Sequence, residues 1–470
     1  MSSAELEDAW RLDAIALVEA YRARLLTPTD MIDSAQKRID RIDPALNAFC
    51  CLSPAARAEA AASTQRWQTG TPIGPLDGVP VAVKDNIAVA GMPATFGSKL
   101  FAGPDCEKDE LPIARLRAAG AIILGKTTTP EFAVEGYTAS DLFGVTRNPW
   151  DPALTPGGSS GGSVAAVAAG LVPIALGTDG GGSTRRPAAY TGLVGLKPGI
   201  GHIPRDGGLP QVLLDFEVIG SFARSVRDAV LLDTVMAGPD RRDPASRNLV
   251  KIDSVDRPLR ILFVETIGEN PCDPDILNAV ATSAETFRSM GHTVTRADLP
   301  ADLSGLTEVW SAIAEIGLAR LGATHPGFAT TANPKYVAMA ERGAERTAAD
   351  LLGILEIVQT LRRDVALAFT DIDLIMMPAC AAMPWAADTS FPDRIDGKSV
   401  GPRGHAVYTG WVNAAGHPAI ALPAMVGPGR LPIGFQLIGD RGSEAVLLSV
   451  AKQYEAQSPW QDRWPDIAIA

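Results

Sequence analysis

The sequence predicts an α/β layered fold in one domain, and three observations predict it. β-Branched runs alternate with amphipathic or alanine-rich stretches, no linker or internal repeat divides the chain, and 470 residues, 46% of them hydrophobic, suffice for a large core. Length alone would equally admit two or three ordinary domains; the missing break favours one, residues 1–470.

The elements follow in order. Residues 5–25 read as an amphipathic helix, and the segment TPTD supplies Thr27 as N-cap, Pro28 at the first helical position and Asp30 in the first turn of a second helix ending near residue 42. Residues 78–84, GVPVAVK, are β-branched and bounded by turn residues, hence a buried strand ending at Lys84. A helix at 113–119 and a strand at 121–124 precede a polar, proline-punctuated loop over 127–156. Alanine-rich residues 163–169 favour helix, 172–176 favour strand, and GTDGGGS at 177–183 reads as a turn. Beyond residue 240 come a strand (259–264), a helix (273–290), a strand (292–296), a mostly helical stretch (306–369) that reads as a cap over a site, strands at 374–377 and 433–438, and a last helix at 443–455.

Composition excludes several function classes. A net charge of −12 leaves no excess of Lys and Arg to displace counterions from a phosphate backbone, so nucleic acid is not expected as the primary partner. Cys50, Cys51, Cys106, Cys272 and Cys380 are an odd set with neither metal-ligand nor disulfide-framework spacing, which suits free thiols in a reducing, cytoplasmic compartment and no metal. Glu5, Glu7 and Asp8 stand where a secretory signal would carry basic residues and an apolar run. Residues 164–176 would span roughly 20 Å as a helix against a hydrocarbon core of about 30 Å, and Gly170 and Pro173 interrupt them, so no membrane association is expected.

Three segments carry candidate chemistry. GGSSGG, residues 157–162, holds a GxSxG pattern centred on Ser159, but an α/β-hydrolase elbow needs a buried strand upstream, and Pro149, Pro152 and Pro156 stand there instead. His405 and His417 fall in the right order for the base of such a hydrolase, which keeps that class open. GTDGGGSTRRP places Ser183 after Gly180, Gly181 and Gly182, whose unobstructed N–H groups suit an oxyanion hole or a plain tight turn; a phosphate loop is disfavoured by Asp179 and the missing GK[ST]. Lys84, if buried beside hydroxyls, loses its charge by desolvation and becomes a base in a chain with five histidines. A Ser–Lys arrangement is a known variant of triad logic.

Lys84 after its apolar strand, GGSSGG and GTDGGGSTRRPA occur in the order and spacing of the amidase signature family, which the chain resembles densely over residues 74–235 and again at VNAAGHPAIALP and LPIGFQLIGD. The resemblance implies a large mixed β-sheet covered by helices on both faces. It also implies a serine amidase in which Ser183 is the nucleophile, Ser159 the bridging serine reached through a cis peptide bond, and Lys84 the base. The amides of Gly180, Gly181, Gly182 and Ser183 would form the oxyanion hole, with Asp179 and Arg185 as structural supports. Gly180 and Thr184 depart from the family pattern, where bulkier residues are common. No metal or organic cofactor is implied, and the partner is a small-molecule amide; a homodimer is left open. Tyr137 and Trp411, together with Phe143, Leu213, Leu214 and Trp310, are candidates for an apolar substrate pocket. Two other readings stand beside the hydrolase: the amidase subunit of a glutamyl-tRNA amidotransferase, and a glycine-loop protein binding phosphorylated ligands.

Overall fold

The computed structural model describes residues 8–254, 256–424 and 430–467. Eleven strands form one mixed sheet: β1 (Phe49–Leu52), β2 (Pro80–Lys84), β3 (Ile122–Thr127), β4 (Ile174–Asp179), β5 (Val194–Lys197), β6 (Val218–Ala223), β7 (Arg260–Phe263), β8 (Thr293–Arg296), β9 (Leu374–Pro378), β10 (Ala419–Pro423) and β11 (Gly434–Gly439). Their spatial order is β1-β3-β2-β4-β6-β5-β10-β11-β9-β7-β8. Strands β3, β2 and β4 run parallel at one end and β9, β7 and β8 at the other, with antiparallel pairs between them.

The helices are α1 (Ala14–Arg22), α2 (Pro28–Leu46), α3 (Ala56–Thr69), α4 (Leu111–Ala118), α5 (Gly161–Ala168), α6 (Arg185–Thr191), α7 (Val226–Met236), α8 (Pro274–Ser289), α9 (Ser304–Thr324), α10 (Pro334–Ala344), α11 (Ala348–Ala368), α12 (Gly410–Ala415) and α13 (Glu444–Gln457), with shorter turns between them. The period of two along β2 shows how they cover the sheet. Val81 and Val83 enter a core with Val18 of α1, Ile113 of α4 and Leu232 of α7, whereas Ala82 enters another with Ile32 of α2, Ala60 of α3 and Val164 of α5. Both faces are therefore buried under helices, which is why these strands read as unbroken apolar runs.

Local signals set several boundaries. Thr27 and Asp30 form a reciprocal capping box with Pro28 in the first turn of α2. The expected helix over 5–25 is shorter: residues 5–7 lie outside the described residues, and α1 begins at Ala14 because the Asp13 carboxylate accepts the Ala16 N–H and caps it there. The expected turn over 177–183 also begins later. Gly177, Thr178 and Asp179 pair with Gly220, Ile219 and Val218 of β6, so β4 continues through them and the turn starts at Gly180. Strands β1, β5, β6 and β10 and helices α3 and α7 add elements that sequence patterning does not resolve. Among the described residues no helix is long and apolar enough to cross a membrane, and all five cysteines are unpaired.

Candidate active site

Adjacent parallel strands bring their carboxyl ends to the same side of a sheet, where ligands are commonly held. Here β2 ends at Lys84 and β4 ends one residue after Thr178, with Val83 opposite Leu176. Lys84 is fully buried. Its Nζ lies 2.8 Å from Ser159 Oγ and 2.9 Å from Thr178 Oγ1, and Asn86 Nδ2 donates to the same Thr178 oxygen at 3.0 Å. Burial pushes the Lys84 amine down to about 7, with Glu217 and Asp179 opposing that fall. The amine touches two hydroxyls from separate glycine-rich segments, and the second belongs to Thr178, not to Ser183.

Ser159 precedes α5 and follows a cis Gly158–Ser159 peptide. Space for this crowded turn comes from missing side chains: a Cβ on Gly158 would overlap the Tyr137 main chain, and one on Gly161 would overlap Thr138. Ser160 and Ser163 donate to the Thr178 and Leu176 carbonyls at 3.2 and 2.9 Å, fastening α5 to β4 and leaving Ser159 as the serine beside Lys84.

Asp179 sits under the second turn. Its Oδ1 accepts the Gly182 amide at 2.6 Å, its Oδ2 accepts the Thr184 amide at 3.0 Å, and Arg185 reaches both oxygens through Nη2 and Nε at 3.0 and 3.1 Å. Burial alone would raise this carboxyl, but the Arg185 guanidinium holds it well below the usual carboxylate range. Arg185 also donates to Gln436 Oε1 at 2.8 Å and to the Thr409 carbonyl at 3.1 Å, while Asn413 Nδ2 donates to the Asp179 carbonyl at 2.7 Å. The network corrects the expected donor set in one place: the Gly182 N–H is aimed at a carboxylate and is not free for an oxyanion. The amides of Gly180, Gly181 and Ser183 have no such partner among the described residues.

Ser183, 6% exposed, lines a cavity of about 380 Å³ together with Gly181, Leu213, Trp310 and Arg186. Ser159 is bonded to Lys84, and no hydrogen bond joins it to Ser183 among the described residues. Helices α9 and α10 furnish one wall through Trp310, Ala314, Lys335 and Met339. Leu213 occupies the space that a larger residue at position 180 would need, its Cδ1 lying 2.9 Å from where a Gly180 Cβ would be.

The apolar candidates separate. Trp310 and Leu213 border Ser183, Trp411 lines a neighbouring cavity, Leu214 another, and Tyr137 a small one with Lys335 and Tyr336. Tyr137 thus meets the site through its backbone against Gly158, because that glycine admits only a main chain there; the Phe143 carbonyl is engaged by Asn47 at 2.7 Å. His417 is buried, its Nδ1 3.0 Å from the Gly439 carbonyl and its ring stacked on Phe369 with centroids 4.9 Å apart, so it is packing material; His405 lines the Ser183 cavity. Thr178, Asn86, Asn413, Arg186 and Arg403 are site neighbours that motif reading passes over. Thr178 and Arg186 stand inside the glycine motif itself, and Asn413 inside VNAAGHP.

A family model described as Amidase matches residues 30–448. A glutamyl-tRNA(Gln) amidotransferase subunit from Chloroflexus aurantiacus is 35% identical, over 97% of this chain and 99% of its own length. A bacterial aryl acylamidase of the amidase signature enzymes superposes with a TM-score of 0.86 at 29% identity, covering 96% of each chain. The native peptide amidase from Stenotrophomonas maltophilia superposes with a TM-score of 0.81 at 29% identity, covering 97% of this chain and 98% of its own. With a match over most of its length and a mixed sheet shared with these enzymes, the chain belongs to the amidase family, as a serine amidase of the amidase signature type.

Proposed function

We propose that Ser183 is the nucleophile of this amidase and that Ser159 passes its proton to Lys84. The observation that carries the reading is the fully buried Lys84 amine, 2.8 Å from Ser159 Oγ and lowered to about 7 by burial, so that much of it is uncharged near neutrality. In this scheme Ser183 Oγ attacks the amide carbon, its proton goes to Ser159, and the proton of Ser159 goes to Lys84. The proton returns through Ser159 to the leaving nitrogen as the C–N bond breaks, and water then releases the acid from Ser183 by the same route. Catalytic hydrogen bonds often close only around bound substrate, and the Ser159–Ser183 contact belongs to that class. Gly180, Gly181 and Ser183 amides would hold the oxyanion, with Asp179 and Arg185 keeping the turn in shape. The scheme needs neither metal nor organic cofactor.

We read residues 1–470 as one amidase unit, with residues 306–369 as its cap, acting on a small amide in a reducing, cytoplasmic setting without nucleic acid. Identity of 35% to a glutamyl-tRNA(Gln) amidotransferase subunit favours one second reading, that of an ammonia-supplying subunit. The test is turnover by the purified chain across aryl, aliphatic and urea-like amides, esters and carbamates, with Ser183→Ala as control. Amide turnover by the chain alone, lost in Ser183→Ala, supports the hydrolase. Turnover of glutamine only with a co-purifying partner supports the second reading, and nucleotide binding with no turnover and no fluorophosphonate labelling would overturn both.

A further inference from the structure

The chain carries a net charge of −12, yet the cavity at Ser183 is positive. Its charged lining is Arg186, Arg403, Lys335 and Glu135, and Lys335 is already paired with Glu135 at 2.9 Å. The two arginines have no carboxylate partner among the described residues. Arg186 donates to the Gly181 carbonyl, to Thr409 Oγ1 at 2.8 Å and to the Gly158 carbonyl at 3.4 Å, tying the two glycine turns together while its Nε has no partner among those residues. The Arg403 guanidinium makes no hydrogen bond or ion pair among the described residues; it lies over the Trp310 ring, 4.2 Å from the centroid. Gly410 makes room for that stack, since a Cβ there would come within 3.0 Å of both Arg403 Nη2 and Trp310.

Arg403 and Trp310 also border a second cavity of about 530 Å³, so the free guanidinium stands where the two chambers meet. His405, two residues on, is 3% exposed, lines the Ser183 chamber, and neither ring nitrogen has a hydrogen-bond partner among the described residues. Burial, then the charges of Arg186 and Arg403, hold that ring neutral. Arg186 is buried at the base of the cavity and Arg403 is exposed at its mouth; neither meets a carboxylate among the described residues, and a guanidinium matches a carboxylate with two parallel hydrogen bonds.

We propose that the substrate is an amide carrying a carboxylate, and that Arg403 binds this carboxylate at the junction of the chambers while the charge of Arg186 reinforces it. The inference rests on the reading of Ser183 as nucleophile and adds the substrate class to it.

Two matched pairs test it with the full-length protein. One places the carboxylate on the acyl side (succinyl against pentanoyl 4-nitroanilide), the other on the amine side (N-acetyl-4-aminobenzoate against N-acetyl-4-toluidine). For at least one pair the carboxylate-bearing amide is expected to have kcat/KM about tenfold or more higher, mainly through KM. That ratio is expected to fall about tenfold in Arg403→Gln and to recover in part in Arg403→Lys. No preference for either carboxylate, or a preference that Arg403→Gln leaves intact, would overturn the proposal. Should none of the four turn over while fluorophosphonate still labels Ser183, slowing of labelling by glutarate in the wild type and not in Arg403→Gln supports it, and equal rates overturn it. Absence of both turnover and labelling strikes the Ser183 reading itself, and this inference with it.

Discussion

Thr178 Oγ1 lies 2.9 Å from Lys84 Nζ and 3.0 Å from Asn86 Nδ2, so one hydroxyl at the end of β4 accepts from both. An acceptor holds the Lys84 amine in place and favours its protonated form more than its neutral one. Thr178→Val is expected to lower kcat about tenfold and to move the acid limb of the rate profile to lower pH, while Thr178→Ser restores both. A purely structural role would move melting temperature and leave the limb where it is.

In the proposed scheme Lys84 governs the acid limb. With its amine lowered to about 7 by burial, kcat/KM is expected to rise with unit slope up to about pH 7 and then level off, as the neutral base becomes fully populated. Lys84→Met is expected to lower kcat by about 10²- to 10⁴-fold and to remove that limb.

The same shift has a stability consequence with a fixed sign. Unfolded, a lysine titrates near 10.4, about three units above the folded Lys84, so between about pH 7 and 10 the unfolded chain holds a proton that the folded chain lacks. Stability from this group is full above the upper value and is lost as pH falls to about 7. Wild type is therefore expected to gain on Lys84→Met in urea midpoint between pH 7 and 9; Lys197, also lowered to about 7 by burial, acts equally in both proteins and cancels.

Arg185 and Asp179 are both fully buried and paired at 3.0 Å. Arg185→Ala leaves a carboxylate uncompensated in the interior and is expected to cost about 3–5 kcal/mol in denaturant unfolding. Arg185→Lys is expected to recover little, because a single ammonium cannot reach Asp179, Gln436 and Thr409 together.

Gly182 has φ +115°, and a Cβ there would overlap Thr409 and Arg186. Gly182→Ala is expected to abolish turnover by reshaping the turn that carries Ser183. Gly353, inside α11 with open space around its Cα, is the control: Gly353→Ala is expected to keep turnover and to stabilise by about 0.5–1 kcal/mol in thermal or denaturant unfolding.

The α/β class and the boundaries set by caps are legible in sequence because Thr27, Asp30 and Pro28 act locally. Strands β5 and β10 are not: VGLK and AIALP are short, buried on both faces and without alternation, so periodicity says nothing of them. Lys84 and Ser159 are legible as a pair through the order and spacing of the motifs that resemble the amidase signature, since neither a lysine at a strand end nor a serine in a glycine-rich turn points to the other by itself. Thr178 is hidden because the run GTDGGG reads as turn throughout, whereas pairing with β6 makes its first half strand. The spent Gly182 amide is hidden for a related reason: which N–H faces Asp179 depends on the fold of the turn. Arg186 reads only as the second of two arginines, and Arg403 lies in a stretch with no periodic signal; their meeting at the cavity depends on strands and helices more than two hundred residues apart.

In the proposed scheme the buried amine of Lys84 activates Ser183 through Ser159. Peptide mapping after fluorophosphonate treatment at pH 8, in wild type and Lys84→Met, tests it most directly. A single adduct on Ser183, formed at least about a hundredfold more slowly in Lys84→Met, is the predicted result. An adduct on another residue, or equal rates in the two proteins, would contradict it.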